Sequence, residues 1–211
     1  SSAGLAALQA AWGPQPAGQP GPLGVLQSVT IDLAFATWPR PWQAGAGAWL
    51  AQRPEGGFSR EVLSHFIFVL QRVLGPAQVL ASRPVYPLDG LGAENELTAN
   101  LQAGACAVSV SARVGGDNAS SGQAVPDDFN QMLWQGSAGA IRLRDWFGLQ
   151  QQQHAGGPWL ALGDPATLRA QGQVDQLTQW VALIEGRSHG LPGFAEALAV
   201  QATIERLLAG V

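Results

Sequence analysis

The stretch LQSVTIDLAF, residues 26–35, puts Val29, Ile31, Leu33 and Phe35 on one side of a period-two pattern and Ser28, Thr30 and Asp32 on the other. Successive side chains point to opposite faces only in a strand, so this run predicts a strand buried on one face and wet, or reserved for contact, on the other. In ACAVSVSARV, Cys106 shares one alternating face with Val108, Val110 and Val114. A sheet with one apolar face must be covered by another layer, so the rest of the chain is read for what supplies it.

SSAGLAALQAAW predicts a short amphipathic helix, and the connector at 13–24, GPQPAGQPGPLG, is too rich in Pro and Gly for regular structure. After the first strand come a long loop, TWPRPWQAGAGAWLAQRPEGG, and a buried helix, GGFSREVLSHFIFVLQRVLG, stopped by Gly75 and Pro76. Strands are predicted in AQVLASRPVY, ENELTANLQA, ACAVSVSARV, FNQMLWQG and GAIRLRDWF, with a tight turn at Ala103 and Gly104 and another within QGSAGA. GGDNASSGQAVPDD reads as an exposed loop, and GLQQQQHAGGPWLALGD as a low-complexity loop. Two helices close the chain. The first has Asp164 as N-cap, Pro165 at its first position and Leu168, Val174, Leu177, Val181 and Ile184 for an apolar face; the second ends at Gly210. The expectation is one α+β domain over 1–211, with an open, largely antiparallel sheet of about six strands and helices packed on one face.

Composition narrows the function. Hydrophobic residues make up 46% and charged residues 12% of the 211 residues, low for a freely solvated surface, so part of it is expected to meet a partner. The net charge is −4 and the eleven basic residues, all Arg, are scattered, which argues against nucleic acid. One cysteine, Cys106, precludes an internal disulfide and reads as a small buried hydrophobe. No apolar run is long enough for a membrane span, and the N-terminal stretch lacks the charged flank of a signal peptide; a cytoplasmic location is expected. The missing initiator Met fits a processed chain or part of a longer one. There is no G-x-S-x-G elbow, no phosphate-binding G-x-x-x-x-G-K and no strand-to-helix G-x-G-x-x-G.

Glu61 and His65 are four apart, so an α-helix projects them from one side, at the start of the buried helix and beneath the tryptophan loop. A carboxylate beside an imidazole orients the ring and raises its pKa, which suits a proton carrier. The same spacing also fits a surface pair worth a few tenths of a kcal/mol, and metal ligation is a third option in which only His154 and His189 could join. Trp38, Trp42 and Trp49 either fold back over the core or form a pocket wall or lid.

WLAQRPEGGFSREVLSH resembles the loop-and-helix signature W-R-x-D-P-x-x-x-G-G-G-x-L-x-D-x-G-x-H of the second domain in the glucose-fructose oxidoreductase, inositol dehydrogenase and MocA family. Trp49, Gly56, Gly57 and His65 match, Glu61 stands at the aspartate position and Leu50 at the arginine. LWQGSAGAIRLRD is similar to the family's strand-turn-strand, and residues 177–210 to its closing helix pair. The resemblance implies the dihydrodipicolinate-reductase-like second-domain fold and an NAD- or NADP-dependent oxidoreductase acting on a sugar or polyol. It implies a dinucleotide-binding first domain whose lysine is not in this chain, so that the chain alone has no turnover. His65 and Glu61 are the implied catalytic pair, Trp38, Trp42, Trp49 and Arg60 the surrounding substrate contacts, and the open sheet face the homo-oligomer interface. A non-catalytic interaction module using that sheet face is the competing reading.

Overall fold

The computed structural model describes residues 2–13, 21–115, 125 and 127–211. Parts of the 13–24 connector and of the loop before residue 128 lie outside the described residues. The chain builds eight strands, β1 (Leu26–Phe35), β2 (Ala77–Val85), β3 (Glu96–Ala103), β4 (Cys106–Val114), β5 (Phe129–Gly136), β6 (Ala140–Arg144), β7 (Gly148–Gln152) and β8 (Leu160–Ala161). They form one sheet in the order β2-β3-β4-β1-β5-β6-β7-β8. Every neighbouring pair is antiparallel except β1 with β4.

Register puts the apolar alternation to use. Leu101, Val108, Val29, Trp134 and Ile141 stand side by side across five strands, each no more than 2% exposed. The next row, on the opposite face, is Asn100, Ser109, Thr30, Leu133 and Arg142, none of it buried. The buried face is covered by α1 (Ser2–Trp12), α2 (Ser64–Leu74) and α4 (Phe194–Ala209). Ile67, Leu70, Ile204 and Leu207 are fully buried between helices and sheet, each side chain contributing about 1.5–3 kcal/mol by leaving water. The result is an α+β layer, as expected.

Several details differ from the sequence expectation. The low-complexity loop contains β7 and β8, which raises the strand count to eight. Leu149 supplies the core contact there, and the glutamines pair along the strand, Gln150 Oε1 accepting from Arg142 Nε at 2.5 Å. Alternation was hidden because one half of the pattern is a polar run. The tryptophan loop holds two short 3-10 turns, Pro41–Ala46 and Ala48–Ala51. The buried helix does not start as a regular α-helix: Ser59–Leu63 form a π-turn in which the Ser64 N–H donates to Ser59 O. On α3 (Pro165–Ile184), Asp164 caps as expected, its Oδ2 accepting from the Thr167 N–H at 2.9 Å. The apolar stripe of α3 is not buried, however: Val174, Leu177, Val181 and Ile184 are 48 to 80% exposed.

Candidate functional site

The loop-to-helix junction is held by a buried acid. Glu94 is 1% exposed, and its Oε1 accepts from the Ser59 N–H at 2.7 Å. Gly57 (φ +100) lies directly against this carboxylate, and a Cβ there would stand 2.2 Å from Glu94 Oε2. Only glycine serves, for both dihedral and space. Burial pushes the Glu94 carboxyl up, against the hydrogen bonds from Ser59. Arg60 ties the same turn to α4. Its Nε and a terminal nitrogen donate to the two Glu205 carboxylate oxygens at 2.7 and 2.8 Å, and its other terminal nitrogen donates to Arg53 O and Gly56 O.

Glu61 projects from the π-turn, and His65 from the first turn of α2. No hydrogen bond joins them among the described residues; instead Gln43 Nε2 donates to Glu61 Oε1 at 3.4 Å. A turn closed by i→i+5 bonds carries one extra residue, which breaks the regular four-residue register assumed for the pair. Gln43, 4% exposed, is itself fixed because its Oε1 accepts from the Arg40 N–H and Nε, both at 3.1 Å. Arg40 is buried beneath the Trp42 ring at 4.6 Å and beside Trp38 at 5.4 Å. Burial lowers the Arg40 pKa, opposed by Asp128 and Glu61.

His65 lies at the surface with its ring perpendicular to that of Trp146, centroids 6.0 Å apart. Desolvation by the surrounding groups lowers its pKa, and the field of Glu61, which acts in the opposite sense, is the smaller effect. Glu61 thus raises the imidazole pKa as expected, but the net shift is downward because desolvation outweighs it. The ring is neutral near pH 7 and able to accept a proton.

The remaining expected site residues divide. Trp49, Arg60 and Glu61 line a common depression of about 430 Å³ together with Gln201 and Glu205 of α4. The Trp49 indole is fixed by donating to Ala46 O at 2.7 Å. Trp42 is 73% exposed over Arg40. Trp38 is a core residue, 9% exposed, edge-on to Phe35 and Phe58, with its indole N–H on Leu50 O at 3.0 Å. Three residues escaped the sequence reading: Arg40, Gln43 and Trp146. The segment WPRPWQ offered a weak signal, an Arg and a Gln between indoles, whereas nothing local pointed from Trp146 to His65, 81 positions away.

Among solved structures, the MviM dehydrogenase from Clostridium difficile superposes with a TM-score of 0.62 at 11% identity, covering 89% of this chain and 55% of that one. A 3-ketoreductase from Actinomadura kijaniata, in complex with NADP and TDP-benzene, gives 0.60 at 13% identity, covering 90% and 55%. The WlbA dehydrogenase from Bordetella pertussis, with NADH and UDP-GlcNAcA, gives 0.61 at 15%, covering 89% and 55%. The fold is that of the second domain of glucose-fructose oxidoreductase, inositol dehydrogenase and MocA-type oxidoreductases. The present chain spans about half the length of these solved oxidoreductases. No protein-family model and no curated protein matches the sequence. No described helix is long and apolar enough to cross a membrane.

Proposed function

We propose that the chain is the substrate-binding and oligomerisation domain of a cytoplasmic NAD(P)-dependent oxidoreductase acting on a sugar, polyol or related hydroxyl or carbonyl compound. The observation that carries this reading is His65: an exposed imidazole at the start of α2, one turn from Glu61, on a fold whose solved neighbours include complexes with nicotinamide nucleotides. In the oxidising direction His65 accepts the hydroxyl proton as the carbon-bound hydrogen leaves with its electron pair; in the reducing direction it returns that proton to the oxygen. Glu61, steadied by Gln43, stabilises the imidazolium through its field rather than by a direct bond. Trp49 and Arg60, which line the depression beside Glu61, and Trp42, exposed over Arg40, are assigned to substrate contact, while Trp38 belongs to the core.

The nicotinamide, when bound, takes up or supplies the hydride. The residues here do not suit its phosphates: at the Gly56 and Gly57 turn the Glu94 carboxyl already takes the Ser59 N–H and fills the space an anion would need. The dinucleotide is therefore assigned to a separate domain of the same enzyme, in line with the length of the solved neighbours. The polar sheet face around Thr30, Ser109 and Asn100 is assigned to subunit contact. In the enzyme that includes the dinucleotide-binding domain, His65→Asn is expected to lower kcat by roughly 10²–10⁴-fold in steady-state assays of nicotinamide reduction. Unchanged turnover would remove His65 from the chemistry.

A further inference from the structure

The turn joining β6 to β7 adopts a conformation that its residues disfavour. Asp145 (φ 49) and Trp146 (φ 68) are the described non-glycine residues at positive φ, and a bulky side chain in the left-handed region is a true outlier. The turn is nevertheless fixed at several points. The Asp145 N–H donates to Asn130 O at 3.0 Å, the Trp146 N–H donates to Asn130 Oδ1 at 3.1 Å, and the Phe147 N–H donates to Asp145 O at 2.8 Å. Asn130 is itself 7% exposed, so a buried amide is committed to holding an unfavourable turn.

Burial does not account for that expense. Trp146 remains 42% exposed, touching Phe66 on one side at 6.0 Å between centroids and standing at 84° to His65. Its neighbour Phe147 points instead toward Arg169 of α3. The strained backbone thus separates two adjacent aromatics and leaves an indole in the open, at right angles to the imidazole assigned to proton transfer. Strain held in place by surrounding structure at such a position is a mark of function.

We propose that Trp146 is a stacking platform for a ring-shaped substrate. The two perpendicular rings form a corner: a pyranose whose apolar C–H face lies on the indole presents the hydroxyls of its rim toward His65. The ligand class is a cyclic polyhydroxylated ring with an apolar face, as opposed to an open-chain polyol of the same hydroxyl chemistry. This deepens the reading of His65 given above and rests on it for the direction in which the rim hydroxyls point. The contact is apolar and polarisation-driven, so it needs no charged partner.

The test uses this chain with methyl β-D-glucopyranoside and D-glucitol as probes, followed by saturation-transfer NMR and tryptophan fluorescence. The pyranoside is expected to bind with millimolar affinity and D-glucitol at least tenfold more weakly. Trp146→Gly, which removes the ring and accepts the positive φ, should weaken pyranoside binding at least tenfold without lowering Tm. Trp146→Phe should retain binding within about threefold, since a smaller aromatic face remains. Equal binding of the two probes, no pyranoside binding to the wild-type chain, or wild-type binding by Trp146→Gly would each overturn the proposal. His65→Asn separates this from the proton-transfer reading. If Trp146→Gly loses the pyranoside while His65→Asn leaves enzyme turnover intact, the platform stands and the proton role fails; the reverse pair of results discards the platform alone.

Discussion

At the scale of single residues, His65 shows how environment decides chemistry. A carboxylate four positions away predicts a raised imidazole pKa, yet desolvation outweighs it and the pKa falls, with Arg40 acting in the same sense as burial. The consequence for stability has a definite sign. Because the folded pKa lies below the unfolded one, the native state binds fewer protons than the unfolded chain in that window. The contribution is fully present above the ordinary histidine value of about 6.5 and is lost as pH falls from there toward the folded value. The imidazole Cε1–H resonance should titrate below about 6.5. Urea unfolding of wild type and His65→Gln should diverge in pH dependence over that range; parallel curves would show that the ring is not desolvated. His65 could be picked out of the sequence as a candidate by spacing and family resemblance. The direction of its pKa shift could not, since it depends on groups brought in from the β6–β7 turn and the tryptophan loop.

At the scale of elements, the junction of loop, π-turn and α2 is where local pattern and tertiary demand part. Apolar spacing marks a helix through Val73, and Gly75 stops it with φ 83. The first turn is nonetheless widened, between the Glu94 carboxylate bonded to the Ser59 N–H and the Arg60 bonds to Glu205, Arg53 and Gly56. Arg60→Met preserves the stem but removes these bonds. It is expected to cost about 1–2 kcal/mol, mostly from the part-buried Gly56 carbonyl left without its donor, since the Arg53 carbonyl is open to water. The ionic part is small because Glu205 is 45% exposed. Glu205→Gln keeps an acceptor and should cost roughly 0.5 kcal/mol. Thermal unfolding distinguishes the two, and equal losses would mean that the ion pair itself holds α4 to the turn. The π-turn left no trace in the sequence because its cause, a glutamate 35 positions from Ser59, is not local.

At the scale of the whole molecule, the apolar surplus noted in the composition has a location. Val174, Leu177, Val181 and Ile184 of α3 recur at helical spacing yet face outward, joined by Phe194 at 97% and Leu198 at 70% exposure. An apolar stripe by itself reads as a face toward the core, and here the core is already filled by α2 and α4. The two kinds of position should respond differently to mutation. Ile204→Ala, at a site with no exposure, is expected to cost about 2–5 kcal/mol. Val181→Asn, at 48% exposure, should change stability by no more than about 0.5 kcal/mol in urea titrations. A Val181→Asn loss comparable to that of Ile204→Ala would show that the stripe is covered in solution.

The sequence by itself determined the α+β class, the half-buried strands and their turns, the Asp164 cap and the buried Cys106. All of these follow from local periodicity, local turn chemistry or a short motif. Only the tertiary structure decided which way Glu61 turns, that Trp38 belongs to the core while Trp146 faces His65, and that the glutamine run forms β7. Each of those depends on contacts between segments far apart in the chain, where packing and desolvation outweigh local preference.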